Sequence, residues 1–390
     1  MDRPIRIFID AHTYDQIFEG TRTYISGLYR ALLRKYPKEV VCSFGAVNTV
    51  NLKTDFGEFE NSRFVRYKYK SKMARMCFEF SRILKKQDYD FAHFQYVTPL
   101  FKTTKFIVTI HDLLFNDFPK EFPLAYRLSR NLFFHKSALQ SDIITTVSNY
   151  SANSLIKNYK ISAKKINIIS SGLNADSSVI ANGINDMFFQ DFDKNESVNY
   201  IQKRFGIANY ILNVSRVEPR KKQSMILRTY LNKKLFEKGI SLVFVGKHAI
   251  GSSDFDDLMK HLPEEAKHFV FHFEQVTQEE LIHFYRAARF FIYPSIAEGF
   301  GVPPLEAVAS KVPTICSNQT ALSDFTFFGK YFFDPNDENE FNEKFDDLLD
   351  NEKEAREYFS SPSVLGAIKK YSFDKSAEKF YELLKENLTK

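Results

Sequence analysis

The sequence contains no apolar run approaching the roughly 18 residues that a membrane span requires. Its opening segment, MDRPIRIFID, has no apolar core of the kind found in secretory signals. Cysteine is scarce: Cys42, Cys77 and Cys316 are widely spaced and form no CxxC pair, which disfavours both a disulfide framework and a zinc cluster. We therefore expect a cytoplasmic protein with reduced thiols.

A strong excess of one charge is also missing. The chain carries 54 Lys and Arg against 48 Asp and Glu, and a net charge of +6 over 390 residues argues against a dedicated nucleic-acid binder. Its 44% hydrophobic and 26% charged residues are typical of a globular protein. The length predicts two domains of about 150 to 200 residues each.

Short apolar segments alternate with amphipathic ones, which predicts an α/β fold with parallel sheets covered by helices. Each half is expected to be a doubly wound, Rossmann-like domain that binds ligands beyond the carboxyl ends of its strands. The predicted strands are IRIFID, VVCSF, FAHF, KFIVTI and DIITTV in the first half, and YILNV, SLVFVG, FVFHF, FFIYPS and PTICS in the second.

The predicted domains are residues 1–180 and 181–370. They are joined through a linker at residues 170–188, which is rich in Ser, Asn and Gly. Residues 371–390 are predicted to form a terminal helix with Ser372 as its N-cap.

The stretch EGFGVPPLE, from Glu298 to Glu306, follows a predicted strand and leads into a helix expected to start at Pro303 or Pro304. Glycine lets the backbone approach a ligand, and amides at a helix N-terminus attract phosphate oxygens. Two carboxylates around such an anion site suit a ligand with hydroxyl groups on both sides of a diphosphate. Alternatively, the acids are a solvated loop residue and a first-turn residue favoured by the helix dipole.

A basic turn follows another predicted strand of the same half, in the segment YILNVSRVEPRKKQ. Cations at this position could neutralise a diphosphate leaving group without a metal. No DxD pair at a strand end and no His/Asp cluster points to magnesium or manganese. An exposed basic turn at a helix start is the alternative. The strand ends at Ser215, and the cations are Arg216, Arg220, Lys221 and Lys222.

The sequence resembles glycosyltransferase family 4, the retaining sugar-nucleotide transferases of the GT-B fold, which carry a Glu-x7-Glu motif. The resemblance runs from residue 5 to about 385 and implies two Rossmann-like domains facing a cleft, with the C-terminal helix crossing back toward the first. The variants IHDL…FP and EPRKK are similar to the mannosyltransferase-like branch that builds bacterial surface polysaccharides. The matching segments are PSIAEGFGVPPLEAVASKVPTICSNQTAL, VSRVEPRKK, VTIHDLLFNDFP, ITTVSNYSANSLI, LVFVGK and EELIHFYRAARFFIYPS.

The resemblance implies a role for each matching position. Glu298 would hold hydroxyls of the transferred sugar, and Glu306 would hold those of the ribose. Arg216 and Lys221 would grip the diphosphate, and His111 would face the donor sugar from the first domain. Retention without an evident protein nucleophile would mean front-face attack, in which the leaving phosphate accepts the proton. The remaining substrate-binding residues are Ser215, Gly299, Phe300, Gly301 and Val302.

The N-terminal segment DAHTYDQIFEGTRTYISGLYRALLRKY places Gly20 just ahead of a helix. It resembles the family's glycine loop on the acceptor and phosphate side. Arg22 stands where the family usually has a small residue, so the acceptor side is expected to differ. A plain loop and helix is the alternative here, and for His111 the alternative is a strand-end residue with satisfied hydrogen bonds.

Residues 63–86 hold nine basic residues and the single acid Glu79. From Lys72 to Lys86 the apolar residues follow helical spacing, which predicts a surface helix packed on its own domain. The alternative is a helix lying on an anionic membrane, which would suit a polyprenyl-diphosphate-linked acceptor. The expected apolar face consists of Met73, Met76, Cys77, Phe80, Ile83 and Leu84.

These observations predict a metal-independent, retaining glycosyltransferase that needs no cofactor. It would move a hexose from a nucleotide-diphosphate sugar, with GDP-mannose as the first candidate, to a glycan or lipid-linked acceptor. Nucleic acid is not an expected partner. A non-catalytic GT-B subunit of a polysaccharide assembly complex and a GT-B-fold sugar-nucleotide epimerase are the alternatives.

Overall fold

The computed structural model describes residues 3–15, 20–162, 183–184, 186–249 and 253–388. They divide into two compact units, the first made of residues before 186 and after 370, and the second of residues 186–370. The predicted boundary at residue 180 and most of the predicted linker lie outside the described residues. The predicted domain limits therefore stay predictions.

The first unit is built on a six-stranded sheet whose neighbouring strands are all parallel. The strands are β1 Ile5–Asp10, β2 Val40–Ala46, β3 Ser62–Arg66, β4 Phe91–Gln95, β5 Lys105–Thr109 and β6 Ile143–Thr145. They lie in the order β3-β2-β1-β4-β5-β6. Because the chain order reverses between β1 and β4, the carboxyl ends of these two strands form a topological switch point, the usual ligand position in such sheets.

The second unit repeats this topology in a sheet of six parallel strands. The strands are β7 Tyr210–Val214, β8 Ser241–Val245, β9 Val270–Phe273, β10 Phe290–Tyr293, β11 Thr314–Ser317 and β12 Phe332–Phe333. Their order is β12-β11-β10-β7-β8-β9, so the switch point lies between β7 and β10. Both central strands are almost wholly buried, as expected for a parallel sheet covered on both faces.

Helices follow most of the strands. Those of the first unit are α1 Gly20–Lys35, α2 Val50–Phe56, α3 Lys72–Ala74, α4 Phe80–Lys86, α5 Leu114–Asp117, α6 Leu124–Gln140 and α7 Asn149–Tyr159. Those of the second are α8 Lys194–Phe205, α9 Gln223–Asn232, α10 Ser253–Lys260, α11 Gln278–Ala287, α12 Val302–Ala309, α13 Glu338–Asp350, α14 Glu352–Phe359 and α15 Pro362–Lys369. Single 3-10 turns include Pro219–Lys221 and Thr320–Asp324. No described helix is long and apolar enough to cross a bilayer.

The ten predicted strands are confirmed, with ends that shift by no more than two residues. Two strands were not predicted. The strand β3 lies at a sheet edge and carries Arg63 and Arg66, and such charge protects an edge strand but hides it in the sequence pattern. The strand β12 has only two residues.

The helix predicted from Lys72 to Lys86 is interrupted by a π-helical turn at Arg75–Glu79, which separates α3 from α4. A π turn holds one residue more than an α turn and rotates the segment that follows it. Met76, Phe80 and Leu84 therefore pack into the core, whereas Met73 is 60% exposed. The expectation of one continuous apolar face is wrong at Met73.

The last helix, α16 Phe373–Leu388, belongs to the first unit. Ser372 Oγ accepts a hydrogen bond from the amide of Lys375 at 3.4 Å, as predicted for an N-cap. The ring of Phe373 packs against two glycines, Gly27 of α1 and Gly183. A Cβ atom at Gly27 would come within 2.1 Å of that ring, so the helices α1 and α16 approach each other only because glycine stands there.

Candidate functional site

Two loops lie side by side at the switch point of the second sheet. One follows β7 and contains the basic turn, and the other follows β10 and contains the glycine turn. The amide of Ile296 in the second loop donates to the carbonyl of Arg220 in the first at 2.9 Å. The two motifs that were separate in the sequence are therefore joined by their backbones.

Glu298 is buried at the centre of these loops, with 7% of its surface exposed. Its Oε1 atom contacts the ammonium group of Lys221, which is equally buried. Tyr293, the last residue of β10, accepts a hydrogen bond from Lys221 at 3.0 Å and donates one to the same carboxylate oxygen at 2.9 Å. The amide of Glu298 donates to Thr320 Oγ1 at 2.8 Å, which holds the residue from its other side.

The arginines of the basic turn form a chain of ion pairs with acids. Arg220 lies 3.4 Å from Glu298 Oε2 through Nη1 and 2.8 Å from Glu218 Oε2 through Nε. Arg216 Nη2 lies 3.1 Å from the other oxygen of Glu218. The side chain of Arg216 is 59% exposed, whereas that of Arg220 is largely buried. Glu218 thus pairs with both guanidinium groups, one on each of its oxygens.

Both members of the central pair are charged at pH 7. Burial alone would raise the pKa of Glu298, but Lys221 and Arg220 outweigh burial and bring the pKa to about 2. Burial lowers the pKa of Lys221 to about 8, although Glu298 acts in the opposite direction. With Arg216 and Glu218 included, the cluster holds three cations and two anions. One positive charge is in excess, which suits an anionic ligand.

The glycine turn ends at the N-terminus of α12. Gly301 has φ +107°, and a Cβ atom there would lie 2.3 Å from Leu322 Cδ2, so the position favours glycine on both counts. The helix begins at Val302, one residue before the predicted start. Pro303 and Pro304 have no N–H group, so the amides at this terminus belong to residues 299–302. The Phe300 side chain is buried against Phe325, which leaves its backbone as the part a ligand could meet.

The second acid of the motif, Glu306, lies on α12 beside the buried hydroxyl of Tyr285. Burial raises the pKa of Glu306 to about 7, while Tyr285 favours the carboxylate. Each carboxylate of the motif therefore lies next to a tyrosine hydroxyl group, that of Tyr293 for Glu298 and that of Tyr285 for Glu306. The environments of the two carboxylates differ. Adjacent cations keep Glu298 ionised, whereas no cation among the described residues offsets the effect of burial on the pKa of Glu306.

Ser215 supports the basic turn. Its hydroxyl donates to Asn213 Oδ1 at 3.1 Å and accepts from Gln223 Nε2 at 2.8 Å. Gln223 also donates to the carbonyl of Arg216 at 2.9 Å. Ser215, which was predicted to bind substrate, therefore stabilises the loop that carries the cations.

His111 belongs to the first unit, two residues beyond the end of β5. Its Nε2 atom lies 2.8 Å from Gln95 Oε1, and its ring packs edge-on against Tyr24 of α1 at 5.0 Å. Burial lowers the pKa of His111 to about 4, so the imidazole is neutral at pH 7. The hydrogen bond to Gln95 is what the alternative interpretation of this residue required, and it leaves the predicted ligand role untested.

Gly20 is the first residue of α1, and a Cβ atom there would meet no atom within 4 Å. Close packing within the described residues therefore does not require glycine at this position. Arg22, the departure from the family pattern, stacks on Tyr14 at 4.5 Å and lies 3.9 Å from Asp55. The predicted roles of these positions stay predictions.

Within the described ranges, no three His, Cys, Asp or Glu side chains are grouped as a metal site would require. That the protein works without a metal ion stays a prediction.

Comparison with known proteins identifies the two halves. A family model described as "Glycosyltransferase Family 4" matches residues 18–177, and one described as "Glycosyl transferases group 1" matches residues 195–362. The chain belongs to the family 4 glycosyltransferases. Both motif loops of the second unit lie within the matched region, as do Gly20 and His111 of the first.

Curated relatives of this chain include the O-antigen chain mannosyltransferase B of Escherichia coli, 28% identical over 235 residues, or 59% of this chain and 58% of that protein. The O-antigen chain mannosyltransferase RfbU of Salmonella typhimurium is 27% identical over 59% of this chain and 57% of its own. The likeness therefore spans a little over half the length of these relatives.

Solved structures resemble this chain over its whole length. A glycosyltransferase from Rickettsia africae has a TM-score of 0.71 with 17% identity and full coverage of both chains. Anabaena HepE in complex with UDP has a TM-score of 0.70 with 13% identity and covers 98% of this chain and 100% of its own. The predicted GT-B fold class is confirmed by these likenesses and by the two parallel sheets.

Sequence reasoning did not assign four residues of this candidate site. Arg220 was grouped with the cations that could neutralise a diphosphate but was not assigned as a site residue, although it lies 3.4 Å from Glu298 whereas Arg216 pairs with Glu218. Glu218 interrupts the basic turn and could have been recognised as its counter-ion. The two tyrosines, Tyr285 and Tyr293, lie in an ordinary apolar helix and strand pattern and gave no signal.

Proposed function

We propose that the chain transfers a hexose from a nucleotide-diphosphate sugar to a glycan or lipid-linked acceptor, with retention of anomeric configuration. The observation that carries this proposal is the buried contact of Lys221 with Glu298 at the switch point, beside Arg220 and the glycine turn. A sugar hydroxyl can bond to the carboxylate while a phosphate oxygen meets the ammonium group. One ligand that carries both groups next to each other is a sugar diphosphate.

The cations stabilise the departing nucleotide diphosphate. As the bond between the anomeric carbon and the phosphate oxygen lengthens, negative charge gathers on that oxygen, and Lys221 and Arg216 neutralise it. Arg220 positions both acids of the cluster. Buried, preoriented charge is worth far more here than in water because it needs no reorganisation during the reaction.

Retention follows from attack on the same face of the sugar. The acceptor oxygen forms its bond to the anomeric carbon as the phosphate oxygen leaves, and the acceptor's proton passes to that phosphate oxygen. Glu298 is held ionised by two cations and bonds to Tyr293, so its part is to hold the sugar's hydroxyls. His111 stays a predicted contact of the donor sugar, and no metal or other cofactor is required.

Mannose is the first candidate sugar, with GDP-mannose as donor, because the relatives described above are named as mannosyltransferases. Their names also place them in O-antigen chain synthesis, so a surface polysaccharide made on the cytoplasmic side of a membrane is the proposed product. A sugar-nucleotide epimerase of the same fold is disfavoured because it does not share the Arg216, Lys221, Glu298 and Glu306 set.

The first experiment is a thermal-shift panel with GDP, UDP, ADP, dTDP and their common sugar conjugates, each with magnesium and with EDTA. A ligand at 100 times its dissociation constant stabilises a protein by about 2.7 kcal/mol, which is readily detected. We expect a shift with the GDP series that EDTA leaves unchanged and that Glu306→Ala abolishes. The matched control is Glu265→Ala, which removes an exposed acid of the same unit.

Turnover is then followed as nucleotide release in the presence of glycan or lipid-linked acceptor, and the anomeric configuration of the product is read by NMR. An inverted product would overturn retention but leave glycosyl transfer standing. The absence of a shift with every nucleotide would favour the non-catalytic subunit instead.

A further inference from the structure

A row of buried polar side chains crosses the first unit from α1 to the end of β5. Tyr29, His93, Gln95 and His111 are 0%, 0%, 3% and 8% exposed. Tyr29 Oη lies 2.5 Å from His93 Nδ1, and Gln95 Nε2 lies 3.3 Å from His93 Nε2. The oxygen of the same amide, Gln95 Oε1, lies 2.8 Å from His111 Nε2. These four residues, which we call the histidine network, connect Tyr29 to His111 through three hydrogen bonds.

The histidine network lies between the sheet and the helices that cover it. His93 and Gln95 are alternate residues of β4, so their side chains lie on the same face of the sheet. The ring of Phe380 on α16 packs on Tyr29 at 5.9 Å and on His93 at 5.5 Å. Because this packing buries His93 completely, its ring nitrogens bond to protein groups in place of bulk water.

Each hydrogen bond of the network has a direction. Burial lowers the pKa of His93 to about 3, so the imidazole is neutral at pH 7 and only one of its nitrogens carries a proton. The amide nitrogen of Gln95 can only donate, and Thr109 Oγ1 lies 2.6 Å from the same His93 nitrogen. His93 Nε2 is therefore the acceptor, and the Nδ1–H group of the ring donates to Tyr29.

These directions fix the position of the proton on His111. With the amide nitrogen of Gln95 toward His93, the amide oxygen faces His111 and accepts from its Nε2–H group. Burial lowers the pKa of His111 to about 4, so the neutral ring holds no second proton. Its Nδ1 atom, the nitrogen that Gln95 leaves for a ligand, is then an acceptor. A sugar hydroxyl can donate to this nitrogen, whereas an ionised phosphate oxygen has no proton to donate.

The histidine network has one other arrangement. If the proton of His93 moved to Nε2, Gln95 would turn its oxygen toward His93 and donate from its nitrogen to His111. The proton of His111 would then have to move to Nδ1. The two tautomers are coupled in this way because an amide has one donor end and one acceptor end. Tyr29 selects the first arrangement, since its hydroxyl accepts the Nδ1–H group of His93.

We propose that Tyr29 and His93 are positioning residues of the transfer site. Acting through Gln95, they keep His111 Nδ1 an acceptor for a hydroxyl of the donor sugar. The inference rests on the proposed function, in which His111 contacts that sugar. The tautomers can be observed without any substrate, so the network and the proposed function are tested separately.

The first test is nitrogen NMR of protein with isotope-labelled histidine, in which His93→Asn and His111→Asn assign the signals. In the wild type we expect the proton of His93 on Nδ1 and that of His111 on Nε2. Tyr29→Phe keeps the ring but leaves the Nδ1–H group of His93 without an acceptor, and buried N–H groups without partners are rare. Both protons should therefore change nitrogen. The matched control is Tyr89→Phe, which removes a buried hydroxyl bonded to Gln87 in the same unit and should move neither proton.

The second test compares two ligands by calorimetry. Tyr29→Phe should weaken binding of the sugar nucleotide about fivefold, because a hydrogen bond to the sugar is lost. Binding of the nucleoside diphosphate alone should stay unchanged, since it has no sugar to meet His111. A merely structural effect of the substitution would weaken both ligands.

A second variant cuts the network without touching Tyr29. Gln95→Leu should weaken the sugar nucleotide by a similar factor and leave the nucleoside diphosphate unaffected. Adding Tyr29→Phe to Gln95→Leu should then have no further effect on the proton of His111, because the connection is already lost.

Three results would overturn the proposal. They are a wild-type His111 with its proton on Nδ1, a His111 proton that stays on Nε2 in Tyr29→Phe, and equal weakening of both ligands in that variant. A protein that binds no sugar nucleotide would contradict the proposed function, and the tautomers would still decide whether Tyr29 controls His111.

Discussion

Lys221 and Glu298 are 77 positions apart in the chain, yet their ammonium and carboxylate groups are in direct contact and buried. The pair forms because the loops after β7 and β10 leave adjacent strands at the switch point. In the absence of a donor, each charge satisfies the other. A sugar diphosphate would take over part of both interactions, so the pair keeps the site charged and ordered before the substrate arrives.

Removing either partner should damage both activity and stability. We expect Lys221→Ala or Glu298→Ala to raise the barrier to transfer by about 2 to 4 kcal/mol, because a preoriented charge contact is lost. Glu298→Ala also leaves the buried ammonium group of Lys221 without its carboxylate, which should cost about 3 kcal/mol of unfolding free energy. Lys221→Ala should cost less, because Arg220 still lies 3.4 Å from Glu298. Nucleotide release and denaturant unfolding measure the two effects.

The double variant Lys221→Ala/Glu298→Ala separates these effects. Its loss of stability should be smaller than the sum of the single losses by about 1 to 3 kcal/mol, because no charge is left alone. The activity of the double variant should stay as low as that of the less active single variant. Lys238→Ala, an exposed lysine of the same unit, serves as the control. Additive stability losses would contradict the direct pairing.

Glu306 should give donor binding a pH dependence. Burial raises the pKa of Glu306 to about 7, and a ribose hydroxyl bonds best to the carboxylate. Affinity for the sugar nucleotide should therefore fall by up to about tenfold per pH unit below 7, since one proton must be lost on binding. Calorimetry between pH 5.5 and 8.5 measures this, and the intact sugar nucleotide is used because its diphosphate does not titrate in that range.

The same pKa makes an opposite prediction for stability. The raised pKa of Glu306 contributes stability that is fully present below its ordinary pKa of 4.5 and lost as pH rises through 7. Glu306→Gln should therefore raise the melting temperature relative to wild type at pH 8, with little difference at pH 5. Glu306→Gln should also weaken donor binding and make it less dependent on pH. An unchanged pH profile in Glu306→Gln would assign the titration to another group.

The pattern of the sequence predicted ten of the twelve strands among the described residues and the two motif loops of the second unit. Buried parallel strands are continuous apolar runs, and the glycine turn and the basic turn both follow such runs. The sequence pattern did not predict which side chains of the loops after different strands contact each other. Arg220, and not Arg216, is the neighbour of Glu298, and only Arg220 lies in the 3-10 turn Pro219–Lys221.

The buried face of α6 could not be predicted for a different reason. The segment LAYRLSRNLFFHKSALQ has apolar residues on all sides, so helical periodicity does not reveal which face is buried. In residues 72–86 periodicity misled, because a π turn changes the register halfway along. Such a turn leaves no clear mark in the residue types.

Gly301→Ala should distort the glycine turn. At φ +107° an alanine is strained, and its Cβ atom would press on Leu322, so we expect a loss of about 1 to 3 kcal/mol of unfolding free energy and weaker donor binding. Gly366→Ala, inside α15, is the matched control, because a Cβ atom there meets nothing within 4 Å. It should be neutral or stabilise by up to about 1 kcal/mol. Equal effects of the two changes would mean that the turn does not impose its conformation.

The contact of α1 with α16 should depend on Gly27. A Cβ atom at this position would lie within the van der Waals radius of the Phe373 ring, so Gly27→Ala should cost about 1 to 3 kcal/mol of unfolding free energy. Adding Phe373→Leu should make the cost of Gly27→Ala smaller than it is in the wild-type background. Denaturant unfolding of the four proteins tests this, and an equal cost in both backgrounds would show that the ring is not what restricts residue 27.

Gln95 should fix the tautomer of His111. The amide nitrogen of Gln95 lies 3.3 Å from His93 Nε2, so its oxygen faces His111 and accepts from the Nε2–H group at 2.8 Å. We expect nitrogen NMR to find this proton on Nε2 and the pKa of His111 near 4, with His111→Asn assigning the signal.

Gln95→Glu should place a carboxylate beside the ring and raise the pKa of His111 by about 1 to 3 units, because an opposite charge favours the imidazolium form. If His111 contacts the donor sugar as a neutral group, transfer should then decline as the pH falls through the new pKa, while wild-type activity at the same pH is kept. Gln140→Glu, at the end of α6, introduces the same charge elsewhere in the unit and should leave the His111 signal in place. A pKa that does not move in Gln95→Glu would exclude Gln95 as the residue that sets the protonation of His111.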